Sequence, residues 1–234
     1  MKNSIIRSWY IIFFALGVFT LFTQCEKDDP KPVIIFEVDN NGYSRFNLAA
    51  LELEINNLPR EVVSEAEEAG LIFMREEEKL AHDVYSQLYE VWSSQVFDHI
   101  AQSELTHTEA VLLLLKKYDL DDPVGTNGVG IFVNSTLQNL YDSLTTVGYQ
   151  SEIEALKTGA LIEEIDILDL QNELDLIVNN KDIELVYNHL QRGSRNHLRA
   201  FVKNLANKGV TYVPQVLSPE IYEDIINNDM ETGG

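Results

Sequence analysis

Cysteine is all but missing from this chain. Its 234 residues include a single one, Cys25, so there can be no internal disulfide, no cysteine-rich zinc site and no rubredoxin-type iron centre. Basic residues are also scarce: 17 Lys and Arg stand against 38 Asp and Glu, a net charge of −21. Such a surface repels phosphate backbones, which excludes nucleic acid as a partner. The acidic excess reads first as a solvated, self-repelling surface, and second as a loose attraction for cations. Internal repeats and low-complexity tracts are absent. Long apolar runs are limited to one, at the very start. Hydrophobic residues nevertheless make up 45% of the chain, enough for a packed core.

The apolar run sits in an address-like segment. Lys2 and Arg7 precede an almost wholly apolar stretch, residues 9–22, which is the length of a signal-peptide core and short for a membrane span. Cys25 follows at once. The segment resembles a bacterial lipoprotein signal (residues 1–24), in which the cysteine is lipidated and becomes the new N-terminus. Phe22-Thr23-Gln24 departs from the usual residues before such a cysteine, and an uncleaved short anchor is the alternative. The resemblance implies a protein of the cell envelope, held by lipid at the outer membrane or cell surface of a Gram-negative bacterium. Residues 25–57 read as a polar, proline-containing tether and a small appendage, with a β-run at residues 33–36 and a turn at Asn40-Asn41-Gly42.

From about Leu58 the hydrophobic period becomes helical, and residues 58–225 form the main domain, with a tail at 226–234. Pro59 suits a first turn, and helices are predicted over about 61–91 and 95–118. A break follows at residues 121–128. A short helix over about 135–146 lies within the long connection that follows. The third long helix opens at Ser151, with Glu154 completing a capping box, and runs to about Leu170. The fourth spans about 182–207 and stops at Lys208-Gly209. Four long helices with short connections and one long crossover in the middle give an all-α, antiparallel, ferritin-like four-helix bundle.

Each apolar stripe carries an intruder. The first runs Leu71, Met74, Glu78, Ala81, Tyr85, Leu88; the second is interrupted by Glu104 and His107. The third (Tyr149, Ile153, Leu156, Ala160, Glu163, Ile167, Leu170) is interrupted by Glu163, and the fourth by Ser194 and His197. A buried carboxylate costs several kcal/mol unless it is paired or metal-bound. Bundled together, Glu78, Glu104, His107, Glu163 and His197 would share one central layer, where three carboxylates need a cation or protons to neutralise them. Oxygen and nitrogen donors suit iron, manganese or zinc, with iron preferred. The plainer alternative is a protonated, hydrogen-bonded polar core. Glu104 and His107 form E-x-x-H, whose i,i+3 spacing puts both on one helix face.

At these residues the chain resembles rubrerythrin-type domains of the ferritin-like superfamily. Residues 78–85 match E-x-x-A-x-x-x-Y, and residues 100–107 match I-A-x-x-E-x-x-H. From about Leu58 to Ile225 it is similar to the domain-of-unknown-function 2202 family, through the run at 74–81 and Gly193-Ser194-Arg195-Asn196-His197. The resemblance implies a two-metal carboxylate site. Ser194 stands where the family pattern has a second Glu, and Asp166, three residues after Glu163, is the candidate to supply the missing oxygen. Glu77, Glu164 and His82 sit just off the stripes and read as solvated or supporting. Tyr85 is a candidate hydrogen-bond or electron donor, or an ordinary core aromatic.

Three functions follow. The first is a non-haem di-metal oxidoreductase of peroxidase or ferroxidase type, acting on peroxide, dioxygen or ferrous iron. With no cysteine cluster, it needs a separate electron donor. The second is a non-catalytic lipoprotein that binds a metal or is braced by one. The third is an interaction module with a metal-free polar core. A homodimer is compatible with all three.

Overall fold

The computed structural model describes residues 33–232, which belong to one compact unit. The expected leader, Cys25 and the start of the tether lie outside the described residues. The described chain is all-α apart from one short hairpin. Strand β1 (Phe36–Val38) pairs antiparallel with β2 (Ser44–Phe46), Glu37 opposite Arg45. Helix α1 (Leu48–Asn57) follows, then the four long helices α2 (Glu65–Trp92), α3 (Gln95–Tyr118), α5 (Glu152–Leu176) and α6 (Lys181–Asn207). Helix α4 (Ser135–Gly148) lies in the connection between α3 and α5, and α7 (Pro219–Asn227) comes last. Among the described residues no helix is long and apolar enough to cross a membrane.

Local chemistry sets most boundaries. Helix α2 begins four residues later than Pro59 suggested, because Ser64 and Glu67 form a reciprocal capping box that satisfies two end groups. Residue Ser93, in the left-handed region, ends α2, and α3 starts two residues later, so the chain reverses at once. Ser151 caps α5 by accepting from the Glu154 amide at 3.1 Å. Tyr149, placed on the third stripe by periodicity, is instead the exposed residue closing α4. Helix α5 also continues six residues past Leu170. Helix α1 had no counterpart in the sequence reading; Asn47 caps it.

Side-chain contacts fix the directions of the long helices. Arg75 meets Thr108 while His82 meets Ala101, so α2 and α3 run antiparallel. Asp166 meets Ser194 while a Cβ at Gly159 would meet Phe201, so α5 and α6 do the same. Tyr85 reaches Gly159 and Glu163, and Glu173 lies over Gly70, making α2 and α5 antiparallel. Helices α3 and α6 pack as a fourth antiparallel pair, with Phe97 against Phe201 and Tyr118 on Asp182. Two apolar clusters fill the space between these helices, one around Tyr85, Phe97 and Phe201, the other around Leu71, Leu114 and Tyr187. The central polar layer lies between them.

Candidate metal centre

All five expected residues come together. Glu78 of α2, Glu104 and His107 of α3, Glu163 of α5 and His197 of α6 are each at most 2% exposed. Glu104 sits between the two imidazoles. Its Oε2 lies 2.9 Å from His107 Nδ1 and its Oε1 lies 2.8 Å from His197 Nδ1. The outer carboxylates complete two matching halves: Glu78 Oε2 is 3.3 Å from His107 Nδ1, and Glu163 Oε2 is 3.5 Å from His197 Nδ1. The donor atoms of Glu78, Glu104 and His107 lie within 4.8 Å of one another, and so do those of Glu104, Glu163 and His197.

Each Nδ1 thus faces carboxylate oxygen, and Glu78 Oε1 has no hydrogen-bond partner. Buried polar atoms are rarely left so. The donor set, carboxylate and imidazole with no thiolate, is one that divalent first-row metals accept. Either triad could hold a cation, with Glu104 shared between them.

The opposite edges of both rings converge on one hydroxyl. Ser44 Oγ lies 2.8 Å from His107 Nε2 and 2.9 Å from His197 Nε2. An Nε2–H on each ring donating to the two lone pairs of Ser44 leaves both Nδ1 lone pairs free toward the carboxylates. Ser44 comes from β2, whose Phe46 and the paired Phe36 of β1 cover the His107 ring at 5.7 and 5.8 Å. The hairpin thus forms one wall of the layer. Gly193 makes room for this wall: a Cβ there would lie 2.6 Å from His107 Cε1 and 3.1 Å from Ser44 Oγ. A mid-helix glycine costs about 1 kcal/mol against alanine, so Gly193 in α6 is a sequence signal that could have marked this close approach and was not read as one.

Electrostatics reflect crowding without compensation. Burial raises Glu78, and the raised values of Glu163 and Asp166 have the same leading cause, with neighbouring carboxylates adding to it. Burial would raise Glu104 as well, but the two imidazoles outweigh it and hold that carboxyl well below its usual range. Burial disfavours charged imidazoles, yet the carboxylates push His107 up to about 10 and His197 to about 9. Without a metal, these shifts keep protons on the layer at neutral pH.

Around the five, Tyr85 donates to Glu163 Oε1 at 2.5 Å, which makes it a partner of the layer rather than only a core aromatic. The Ser194 hydroxyl donates to Asp166 Oδ2, and Asp166 Oδ1 is left without a partner. Asp166 belongs to neither triad, but it lines a small enclosed cavity together with Glu77, Glu78, Glu104 and Glu163. His82 stays apart, its Nδ1 2.8 Å from the Ala101 carbonyl. Glu77 and Glu164 are not solvated: both are buried, Glu77 beside the layer and Glu164 under residues 212–217.

The chain is similar to an uncharacterized protein, MJ0754, of Methanocaldococcus jannaschii, with 50% identity over 179 residues, 76% of this chain and 96% of that one. The crystal structure of hypothetical protein MJ0754 from Methanococcus jannaschii DSM 2661 superposes with a TM-score of 0.73, covering 74% of this chain and 99% of that one at 50% identity. Residues 67–229, which carry Glu78, Glu104, His107, Glu163 and His197 but not the hairpin that holds Ser44, match the family model described as Uncharacterized protein domain (DUF2202), and the chain belongs to that family.

Proposed function

We propose that this chain is a ferritin-like metal-binding protein of the cell envelope, lipid-anchored through Cys25, whose central layer holds a pair of divalent ions, iron foremost. The ferritin-like reading is supported by the helix order: α2, α3, α6 and α5 surround the layer with every neighbouring pair antiparallel, so α3 and α5 point the same way and need the long crossover that contains α4. The observation that carries the metal reading is the donor set itself: two buried Nδ1 atoms within 2.8 to 3.5 Å of three buried carboxylates, in two triads that share Glu104.

In this reading Glu78 and His107 would hold one ion, Glu163 and His197 the other, and Glu104 both. A metal pair of this kind supplies two-electron chemistry toward peroxide, dioxygen or ferrous iron. The protein's own residues do the rest. Ser44 fixes both imidazole tautomers, Tyr85 holds Glu163 in place and can offer it a proton, and the aromatic wall of the hairpin keeps bulk water from His107. With a single cysteine in the chain, electrons come from a separate donor.

A second reading is favoured by Ser194. Where a carboxylate would complete the symmetric set there is a hydroxyl bound to Asp166, and a centre short of one ligand suits a metal that braces the fold. The test is metal content of the full chain purified in detergent without an affinity metal, beside a Glu104→Ala, His107→Ala variant, followed by exposure of the ferrous-loaded protein to air or peroxide. Near-stoichiometric metal in the parent and its loss in the variant support the site, and oxidation of bound iron supports the redox role. Tight, redox-silent metal supports bracing. No metal after anaerobic ferrous loading rejects both.

A further inference from the structure

The central layer does not end at its five ligand candidates. On α5 a row of acids continues from Glu163 through Asp166 and Asp169 to Glu173, at steps of three and four that keep them along one side of the helix. Burial is graded along it. Glu163 and Asp166 are buried, while Asp169 and Glu173 are half-buried and open toward solvent. Across from the row, α2 contributes Glu77, which is 4% exposed and meets another acid, Asp169, instead of a basic partner. The charged groups acting on Glu77 most strongly are Asp169, Glu78 and Glu173, all acidic. Farther out, the Glu173 carboxylate lies against α2 because Gly70 leaves space; a Cβ there would be 2.2 Å from Glu173 Oε2.

A separate side chain marks the same place. Tyr187 of α6 is fully buried in the same apolar cluster as Leu71 and Met74 of α2 and Leu170 of α5, and its hydroxyl has no partner. Unpartnered oxygens of Glu173, Asp166 and Tyr187 therefore accompany the Glu77–Asp169 acid pair, and a small cavity lined by Glu77, Asp166 and Glu78 leads from that pair to the centre. Hard oxygen donors without a counter-cation are what a partly hydrated divalent ion requires.

We propose that Glu173, Asp169, Glu77 and Asp166 form an entry path for divalent cations, with a transit site at Glu77 and Asp169, ending at Glu78. The path rests on the metal-binding reading of the centre. It assigns the outer acids to rate and the five inner residues to capacity, and the two are separable.

The experiment is stopped-flow uptake of Zn2+ from a fluorescent zinc indicator by the full chain in detergent, with final zinc content measured by elemental mass spectrometry. Four proteins are compared: the parent, Asp169→Asn with Glu173→Gln, Glu77→Gln, and a charge-matched control, Glu52→Gln with Glu54→Gln on the exposed face of α1. The path predicts uptake at least five-fold slower in the Asp169/Glu173 and Glu77 variants at unchanged final content, and a control within two-fold of the parent. Asp169→Asn with Glu173→Gln taking up zinc within two-fold of the parent overturns the path, and so does a control slowed equally, which would reduce the effect to surface charge. If Glu77→Gln fails to fold, the half-buried pair still decides. A parent that binds no zinc overturns the central site itself, a result distinguishable from any change of rate.

Discussion

Two sets of buried acids lie in these helices, alike in residue type and exposure and opposite in what surrounds them. The first set clamps connections to the helices. Glu164 accepts from the Tyr212 hydroxyl at 2.5 Å and from the amides of Gln215, Val216 and Leu217 at 3.0, 2.8 and 2.9 Å. Glu76 accepts from the amides of Val133 and Asn134, and Glu67 from those of Asn179 and Asn180. Asp182 has the Tyr118 hydroxyl and the Lys117 ammonium. The second set, Glu77, Glu78, Glu104, Glu163 and Asp166, has few donors beyond two imidazoles and the hydroxyls of Tyr85 and Ser194. Burial of an acid is therefore not what marks the centre. What marks it is the shortage of donors, and the two sets should respond to substitution with opposite signs.

The largest effect belongs to the clamps. Glu164→Ala leaves three backbone amides and a phenol of the 212–217 segment without their acceptor, and should cost about 3–5 kcal/mol, the range for breaking a buried charged network. Denaturant unfolding should give that loss equally with metal and with chelator. In the centre the sign reverses. A metal at a hundred times its dissociation constant should stabilise the parent by about 2.7 kcal/mol. Glu78→Gln should remove the share of that gain owed to the ion at Glu78 and His107 while leaving the chelated protein as stable as the parent or slightly more so, because it removes a carboxyl whose charging is disfavoured by burial. A Glu78→Gln loss as large as that of Glu164→Ala in chelator would erase the distinction between the sets.

Acidity sharpens it further. Without metal, His107 and His197 hold protons up to about 10 and about 9, against 6.5 in the unfolded chain. The folded state then binds more protons than the unfolded one, so their contribution is complete below about 6.5 and fades as pH rises through 9 to 10. Burial raises Glu78 and Glu163, which act in the same direction; Glu104, held low by the imidazoles, acts only at the acidic end. Melting temperatures of the chelated protein should fall from pH 7 to 10, and the stabilisation by added metal should grow over that interval because the metal takes the place of the protons. The smallest effect is that of Ser44→Ala, which frees both Nε2 atoms. It should weaken metal binding about ten-fold, the lower end for a lost outer partner of a metal-bound histidine, with little change in chelator.

Much of the centre was legible in the chain because an acid or histidine on an apolar stripe stands out. Glu78, Glu104, His107, Glu163 and His197 all interrupt helical runs of core residues, and all five lie together. Ser44 was not legible. It sits 63 residues from His107 and 153 from His197, in a hairpin whose period says nothing about which helix it covers. Glu76, Glu77 and Glu164 are off the stripes, and only the packing of loops and neighbouring helices decides that they are buried. The start of α2 was written in Ser64 and Glu67, but Pro59 is an equally good first-turn residue and drew the boundary forward.

The central claim is that the two triads are cation sites sharing Glu104. The most direct measurement is an anomalous difference map from crystals grown with Mn2+ or Fe2+. The account predicts two peaks, one among Glu78, Glu104 and His107 and one among Glu104, Glu163 and His197. A map with no peak in that layer, from crystals that carry the ion at other carboxylates, would contradict it.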